Sequence, residues 1–530
     1  MFDTPGVFIR EIPSGSRPIA GVATSNTAFV GTFARGPVNE ATRVTSFGEF
    51  ERIFGGLHAR SETSYAIRSF FLNGGSVAFV VRVTAGAADT AEVEIGGDVD
   101  FEATSDGAWA NTVRIGLAHT NAGTNYTILV REYDAALTTV LREEAFIDVS
   151  ITAGDPRFVE DVLRENSELI RATQNAANLP TRTQIGGADA TSLDDLLEGV
   201  AGDFSVMGSA TAGADGTMEG DAGWVAVSSA TLRGSEAATP PTGIYALNQI
   251  VPQVFNLLCL PGAASFNEAA HASTVAIYQE AYTYCRNNFA FLVVDPAPDV
   301  NRGNFQTYLG ELGAAAGPNS ALYYPRVSGQ DPLNPLVPRV IGPSGMAAGL
   351  MARTDGARGV WKAPAGTEAR VSGGTPIDVM TDRQQGPLNT SGVNAIRTFP
   401  VYNSVMWGAR TLDGADARAS EWRYINVRRL ALFIENSLQR GLQWVVFEPN
   451  DEPLWANVRM NVNAFMNQLH RQGAFQGASA RDAYLVKCDS ETTTQADINL
   501  GILNVYVGFA PVRPAEFVVV RIQQRFPNAA

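Results

Sequence analysis

From residue 243 onward, short apolar runs alternate with helical patterns, and this alternation restricts the possible folds more than any other feature of the sequence. Residues 254–260 and 289–294 have the composition of buried strands, and residues 266–288 between them have that of a helix. A strand, a helix and a second strand in this order are typical of a βαβ unit with parallel strands. Another strand at 321–324 extends the pattern. The sequence therefore predicts an α/β core.

Two longer amphipathic helices follow towards the C-terminus. Apolar residues recur in each at spacings of three and four, the period of one helical face. The first series is Val427, Leu430, Ile434 and Leu438. The second series is Leu454, Val458, Val462, Phe465 and Leu469. Gly441 is placed to end the first helix, while Pro453 and Gly473 bracket the second. We expect both helices to cover one face of the sheet.

Negative charge is concentrated in the middle of the chain. Residues 86–240 hold 26 acidic residues, 8 arginines and no lysine, a net charge of −18, whereas the remaining residues carry +3. Such a shift indicates a domain boundary, although random drift in composition is the alternative. Short strands dominate the first part of this block, and the abundance of Gly, Ala and Thr over 181–242 predicts a loose connection. The overall charge of −15 argues against nucleic acid as a partner.

No catalytic or metal-binding motif is found. The cysteines, Cys259, Cys285 and Cys488, are far apart, and the four histidines have no H-E-x-x-H neighbour. Asp295 follows a buried strand, where open α/β sheets often bind ligands, but Asp before Pro is also a common turn former. The glycines of 342–349 do not have phosphate-loop spacing, so close helix packing is the favoured interpretation.

Membrane association and export are not expected either. No uninterrupted apolar run approaches the roughly 18 residues that a membrane span needs. Residues 1–12 have neither a basic start nor a hydrophobic signal core. We therefore expect a soluble protein of a reducing compartment, with no membrane partner and no cofactor.

Sequence blocks in both terminal regions occur in an order typical of one known family. The N-terminal blocks are TPGVFIREI at 4–12, VATS at 22–25, FVG at 29–31, RGP at 35–37, FGG at 54–56 and FFLNGG at 70–75. The later blocks are APA at 363–365, LN at 388–389, GVNAI at 392–396, WGART at 407–411, YINVRR at 424–429, FEPN at 447–450, QGA at 472–474 and APVRPAEF at 510–517. The chain thus resembles contractile tail sheath proteins of bacteriophage tails, R-type pyocins and extracellular contractile injection systems. The resemblance is strong over 1–85 and 243–526 and weaker between them.

The resemblance implies an α/β (α+β) fold in which N- and C-terminal segments build a sheath-type core. One or more β-rich outer domains would be inserted into this core, and β-arms would extend from both chain ends. The implied organisation is an N-terminal arm at 1–20, a first core part at 21–85, an acidic outer insert with a loose linker at 86–242, an α/β core part at 243–370, a C-terminal tube-facing domain at 371–512 and a C-terminal arm at 513–530.

The function implied by the resemblance is structural and not enzymatic. Subunits would polymerise as stacked hexameric rings around an inner tube and contract to drive the tube through a target envelope. The implied partners are further copies of the chain, the tube protein, the baseplate and terminator or cap proteins. The particle would assemble in the bacterial cytoplasm as a phage tail or an injection particle. Two alternatives stay open: a low-copy sheath-like component of a baseplate or cap, and an α/β enzyme with a site near Asp295.

Both chain ends also have strong strand propensity, at 5–13 and 515–526. Such strands either form edges of their own domain or add to a neighbouring copy. The resemblance favours addition to adjacent subunits, through Val7, Phe8, Ile9, Arg10 and Ile12 at one end and Phe517, Val518, Val519, Val520 and Ile522 at the other. Because the core outside the acidic block is slightly basic, we expect contacts to an acidic tube from Arg428, Arg429, Arg459 and Arg471. An ordinary salt-bridged helix surface is the alternative.

Overall fold

The computed structural model describes residues 17–120, 122–251 and 254–517. An eight-stranded sheet lies at its centre, with parallel pairing between its six inner strands and antiparallel pairing at both edges. In spatial order the strands are Ala41–Val44, Ala78–Arg82, Thr27–Gly31, Leu257–Cys259, Phe291–Val294, Ser320–Tyr324, Val393–Phe399 and Asn403–Met406. The predicted α/β core is confirmed.

Helices cover both faces of this central sheet, which explains why its inner strands are apolar along their whole length. Glu62–Leu72 and Ser344–Arg358 lie on one face, and Ala272–Asn287 and Trp224–Arg233 lie on the other. The remaining core helices are Phe47–Phe54, Phe305–Leu312 and Asp382–Thr390. A small antiparallel sheet of Pro338–Ile341, Val327–Gln330 and Thr375–Pro376 completes the core. No helix within the described ranges is both long and apolar enough to cross a membrane.

The glycines of 342–349 serve helix packing, as the sequence favoured. A Cβ atom at Gly345 would lie 2.2 Å from the Ala66 carbonyl oxygen, and one at Gly349 would lie 2.3 Å from that of Phe70. Only glycine lets the two helices approach this closely. The glycine series therefore brings Ser344–Arg358 against Glu62–Leu72.

An inserted, mainly antiparallel domain leaves the core where Ala88–Asp89 pairs with Ala214–Asp215. Its larger sheet has the strand order Ser205–Val206, Val113–Ala118, Asn125–Tyr133 and Val140–Ser150, and its smaller sheet has Ile170–Gln174, Val99–Ala103 and Glu92–Ile95. A two-stranded sheet of Gln184–Ile185 and Ala188–Asp189 and the helices Val159–Asn166 and Leu193–Leu197 complete it. The insert has its own hydrophobic core, so it packs as a separate unit.

The end of the predicted loose connection is in fact part of the central core. The Glu219 carboxylate accepts hydrogen bonds from the backbone N–H of Thr32 at 2.9 Å and of Thr63 at 2.8 Å. Trp224 is fully buried, and its Nε1 donates to the Gly262 carbonyl at 2.8 Å. The prediction of a loose segment is therefore wrong for residues 217–242. The segment contains the helix Trp224–Arg233, which the sequence did not reveal because most of its residues are small. Tertiary packing of a few side chains stabilises this helix.

Replacement of this tryptophan measures how firmly the segment is packed. We expect Trp224→Ala to lower the free energy of unfolding by about 3–5 kcal/mol, because it leaves a large cavity in the core. Trp224→Phe is expected to cost less, since the ring stays buried and mainly one hydrogen bond is lost. Denaturant unfolding followed by circular dichroism gives both values. A loss below about 1 kcal/mol for Trp224→Ala would mean that the segment is only loosely attached.

The C-terminal residues form a third unit. The first C-terminal helix is Ile425–Gly441 and the second C-terminal helix is Glu452–Arg471. A two-stranded sheet of Tyr484–Lys487 and Tyr506–Phe509, here called the terminal sheet, packs beside them with the short helices Ala480–Ala483 and Gln495–Asn499.

Only one of the two C-terminal helices covers the central sheet. The first C-terminal helix contributes Ile425 and Leu432 to the core of that sheet. The apolar face of the second packs instead on Leu430 and Ile434 in a separate cluster. The prediction that both helices cover one face of the sheet is therefore wrong for the second, because the first lies between it and the sheet.

Candidate assembly site

The N-terminal end of the described chain lies on the C-terminal unit. The Arg17 backbone N–H donates to Asn461 Oδ1 at 3.2 Å, and the Val22 N–H donates to Ser437 Oγ at 3.2 Å. Ile19 is buried between these contacts, against the two C-terminal helices. The chain therefore enters the fold along this helix pair. The predicted N-terminal arm residues Val7, Phe8, Ile9, Arg10 and Ile12 lie outside the described residues.

The other end is held by an ion pair. Arg410 is 1% exposed, and its Nε and one terminal nitrogen donate to the two Glu516 carboxylate oxygens, each at 2.7 Å. Asn389 Nδ2 and the Tyr424 hydroxyl donate to the same carboxylate at 2.8 and 3.2 Å. Although burial opposes ionisation, the hydrogen bonds from Arg410 and Asn389 hold the pKa of Glu516 below its ordinary value. Glu516 thus fixes the point at which the chain leaves the fold.

Beyond this point the apolar C-terminal run begins. Phe517 is 74% exposed, so the described residues leave most of its side chain open to solvent. The other predicted residues of this arm, Val518, Val519, Val520 and Ile522, lie outside the described part of the chain. The interpretation of both arms as intersubunit strands therefore stays a prediction.

The terminal sheet has open edges near these chain ends. Its two strands pair antiparallel from Tyr484 opposite Phe509 to Lys487 opposite Tyr506. Among the described residues, neither strand pairs with a third one. Leu485 and Tyr506 are 61% and 60% exposed. A sheet of only two strands is marginal alone and offers unpaired N–H and C=O groups to an added strand.

Two of the four arginines expected to face a tube make their contacts within the subunit. Arg429 is 4% exposed, and its guanidinium pairs with Asp355 at 2.6 Å and donates to the Thr24 carbonyl at 2.9 Å. Burial therefore does not favour the predicted contact of Arg429 with a tube, because its charge is compensated in the interior. Arg428 lies over the Trp422 ring at 4.8 Å, and its Nε donates to Asn319 Oδ1 at 2.8 Å.

The other two arginines lie at the surface of the second C-terminal helix. Arg459 is partly exposed and pairs with Glu452 at 2.6 Å, and Arg471 is exposed with no ion pair among the described residues. Twelve residues separate them, which corresponds to about 18 Å along the helix and about 120° around it. The four arginines thus do not form one basic patch, and only these two stay candidates for an external contact.

Asp295 stabilises the first turn of the helix Ser344–Arg358. Its side chain is fully buried, and its Oδ1 accepts the Ser344 backbone N–H at 2.8 Å. Ser344 Oγ donates to Oδ2, and the Tyr308 hydroxyl donates to the Asp295 carbonyl at 2.9 Å. Burial raises the pKa of the carboxyl to about 6. These contacts favour the structural interpretation of Asp295.

Metal-ligating side chains do not cluster in the described ranges in a way that would hold an ion. The buried His271 ring contacts carboxylate oxygens of Asp299 at 3.0 Å and Glu311 at 2.6 Å. Burial alone would lower the pKa of this imidazole, but these two carboxylates raise it.

The sequence contains the residues of the C-terminal anchor without showing that they meet. Arg410 and Glu516 are 106 positions apart and belong to two separate blocks, WGART and APVRPAEF. Their opposite charges within otherwise apolar surroundings were the available signal. The terminal sheet had no such signal, because its strands are short and half-exposed.

Three comparisons with known proteins bear on this site. A family model described as the phage tail sheath C-terminal domain matches residues 418–525, which contain the two C-terminal helices and the terminal sheet. The tail sheath protein of Vibrio phage KVP40 is 26% identical over 177 residues, or 33% of this chain and 25% of that protein. A putative prophage major tail sheath protein of Pseudomonas aeruginosa (strain UCBPP-PA14) is 25% identical over 185 residues, or 34% of this chain and 45% of that protein.

The chain thus spans less than half the length of the curated relatives it matches. A solved structure covers more. The sheath subunit of an extracellular contractile injection system, the PVC sheath complex in its contracted state, superposes with a TM-score of 0.56 and 21% identity, over 99% of this chain and 98% of that one. This likeness establishes the overall fold, including the inserted domain and the C-terminal unit.

Proposed function

We propose that this chain is the structural subunit of a contractile sheath, because residues 418–525 match the phage tail sheath C-terminal domain and the whole fold resembles that of a solved sheath subunit. Subunits polymerise as stacked hexameric rings around an inner tube and contract to drive the tube through a target envelope. The observation that supports this most is the C-terminal unit itself. It binds the N-terminal end of the described chain and carries the open terminal sheet, and the C-terminal end leaves beside the start of its first helix, at Tyr424.

Strand addition between copies uses this arrangement. The arms at 7–12 and 517–522 pair with the terminal sheet of adjacent subunits. Main-chain hydrogen bonds supply the affinity, while side chains at alternate positions set the register. A junction of this kind keeps neighbours connected while their bodies rotate, because the arm, and not a rigid face, carries the connection.

The acidic insert forms the outer surface of the sheath. Residues 86–216 hold 23 acidic residues against 7 arginines, which gives finished tubes a like-signed exterior. Like charge keeps such tubes apart and soluble. Several ion pairs tie the insert to the core, including Arg35 with Glu132 at 3.0 Å and Arg82 with Asp106 at 2.5 Å. The insert therefore moves with the core during contraction.

Contraction is a change between two lattices of the same subunit. The extended lattice is held kinetically, and a trigger at the baseplate releases it to a shorter, wider lattice with more favourable contacts. A gain of about 1 kcal/mol per subunit, the scale of one hydrogen bond, adds up over many copies. The subunit then needs no cofactor and no catalytic step when it fires.

Electron microscopy of the chain expressed with its tube protein tests this function. We expect long tubes with stacked rings, assembled in the bacterial cytoplasm as part of a phage tail or an injection particle. A stable monomer or small oligomer under the same conditions would contradict the proposal. If purified particles held far fewer copies of this chain than of the tube protein, the low-copy component of a baseplate or cap would replace it.

The exposed arginines of the second C-terminal helix provide a separate test of tube contact. We expect Arg459→Glu combined with Arg471→Glu to slow tube-templated assembly and to weaken its dependence on salt, because two attractive charges become repulsive. Assembly on purified tubes is followed by light scattering. Arg164→Glu, on an exposed arginine of the insert, is the matched control. Equal rates for all three proteins would contradict a role of these arginines at the tube.

A further inference from the structure

The connection between the two C-terminal helices presents an aromatic side chain to solvent. Phe447 is fully exposed, and its neighbour Val446 is 63% exposed. The Phe447 backbone has φ 70°, in the left-handed region that a bulky side chain rarely adopts. Hydrophobic burial within the subunit does not explain this exposed ring. A side chain held outward in this way is typical of a contact residue.

The surroundings of Phe447 are rigid. Asp451 caps the second C-terminal helix by accepting the Leu454 N–H at 3.1 Å. Trp455 Nε1 donates to Asn450 Oδ1 at 2.8 Å, and Asn450 Nδ2 donates to the Ile502 carbonyl at 3.0 Å. The connection is therefore tied to both the helix and the segment that joins the two strands of the terminal sheet. A side chain displayed on such a support loses little conformational freedom on binding.

A cavity of about 570 Å³ lies at the other end of the first C-terminal helix. The half-buried rings of Trp361 and Trp407 line it, together with Arg397, Asn426, Val512 and residues 514–517. This volume is within the range of about 300–1,000 Å³ that is common for binding pockets. The cavity has room for an aromatic side chain and part of the backbone that carries it.

One polar atom in this cavity has no partner. Asn426 is 2% exposed, and its Nδ2 donates to the carbonyls of Trp361 at 2.8 Å and Val512 at 3.0 Å. Its Oδ1 is buried, and no hydrogen-bond donor among the described residues reaches it. Buried acceptors are rarely left in this state, since each lost hydrogen bond destabilises the fold. The wall of the cavity at Asn426 therefore contains an unsatisfied acceptor just beneath its surface.

The charges beside the two features are opposite. Glu448 follows Phe447, is exposed, and forms no ion pair within the described ranges. Lys362 follows Trp361 at the cavity, and its Nζ contacts only a backbone carbonyl, that of Ala363 at 3.0 Å, among the described residues. The other charged groups of the cavity are already paired, as in Arg397 with Asp382 and Glu516 with Arg410. Insertion of Phe447 beside Trp361 would bring Glu448 towards Lys362.

A subunit cannot make this contact with itself. Asn426 is the second residue of the first C-terminal helix, whose 17 residues span about 25 Å. Phe447 lies six positions beyond the last residue of that helix, so its own cavity is out of reach. The exposed ring and the cavity are different patches of one surface. Contacts between unlike patches do not close into a two-fold dimer but generate closed rings or open helical lattices.

We propose that Phe447 of one copy inserts into the cavity beside Trp361 and Asn426 of a second copy of this chain, with Glu448 facing Lys362. This contact rests on the proposed function in one respect, because it requires that the chain polymerise. It adds a rigid side-chain contact to the flexible strand exchange of the arms.

Cysteine crosslinking of assembled polymer tests the contact. We introduce Phe447→Cys together with Ala365→Cys, a partly exposed position of the cavity, and the three native cysteines stay buried. Mild oxidation is expected to give a ladder of dimers, trimers and larger species on non-reducing gels, since each copy is linked to two neighbours. Leu336→Cys with Ala365→Cys is the matched control, because Leu336 is equally exposed elsewhere and should give monomers.

A charge exchange provides a second measurement without a new covalent bond. Glu448→Lys is expected to lower the sedimenting fraction at limiting concentration by about tenfold, and Lys362→Glu in the same chain to restore it. Circular dichroism establishes that each variant is folded.

The outcomes separate this contact from the proposed function. A ladder together with charge rescue supports the contact. Normal polymers without a ladder, or a Phe447→Cys chain that crosslinks to the tube protein instead, overturn it and leave the sheath function in place. A wild-type chain that forms no polymer with its tube protein overturns the sheath function and this contact with it.

Discussion

A chain that lacks residues 518–530 is expected to fold but to form no sheath. The deletion removes the apolar arm yet keeps Glu516, whose carboxylate compensates the buried charge of Arg410. The subunit therefore keeps its stability and loses the strand that neighbouring copies would bind. Sedimentation and negative-stain imaging with the tube protein give the polymer yield. Removal of residues 1–13 is expected to have the same effect, since the contacts from Arg17 to Val22 stay in place.

The position of the cut decides what this experiment measures. Deletion of residues 515–530 also removes Glu516 and leaves Arg410 with one carboxylate partner fewer. Loss of one partner from a buried ion pair costs about 3–5 kcal/mol, so this longer deletion is expected to destabilise the fold as well. The thermal unfolding midpoint of each variant distinguishes the two effects. Normal sheaths from the chain that ends at Phe517 would contradict the role of the C-terminal arm.

Arg429→Ala is expected to lower the free energy of unfolding by about 3–5 kcal/mol. The side chains of Arg429 and Asp355 are both 3% exposed, and the substitution leaves a buried carboxylate without its cation. Burial already raises the pKa of Asp355, against the opposing effect of Arg429. Without the guanidinium this pKa is expected to rise further, so the carboxyl binds a proton more readily. Urea unfolding followed by circular dichroism measures the loss.

Two controls define the cause of this loss. Arg471→Ala removes an exposed arginine from the second C-terminal helix and is expected to change stability by no more than about 0.5 kcal/mol. Arg429→Met combined with Asp355→Leu removes both charges and keeps apolar volume, so most of the stability should return. If Arg429→Ala were as stable as the wild type but failed to assemble on tubes, an external role for this arginine would have to be reconsidered.

The secondary structure of the core was predictable wherever the apolar residues followed one clear pattern, either a continuous run or a helical period. Phe291–Val294 is buried on both faces of a parallel sheet and has a continuous apolar run. The second C-terminal helix repeats its apolar residues at three and four, with Pro453 in its first turn and Gly473 at φ 84° after its end. Such signals are local, so the sequence contains them in full.

Other features had no local signal. The helix Trp224–Arg233 consists largely of small residues and was predicted as part of a loose connection, yet Trp224 anchors it in the core. Arg429 lies in the same helix as Arg428, which is partly exposed, and only the position of Asp355, 74 residues earlier, shows that the Arg429 charge is fully buried. No periodic sequence pattern relates residues that are this far apart along the chain.

The sequence by itself determined the α/β core, the two C-terminal helices, the acidic insert and the resemblance to contractile tail sheath proteins. These follow from residue patterns over short windows and from blocks in a fixed order. The tertiary structure alone decided that the N-terminal end lies on the C-terminal helices, that Glu516 pairs with Arg410, that Arg429 is internal, and that Phe447 and the cavity at Asn426 lie at opposite ends of one helix. Propensity and hydrophobic period act between neighbours in sequence, whereas charge compensation and cavity formation depend on residues that only folding brings together.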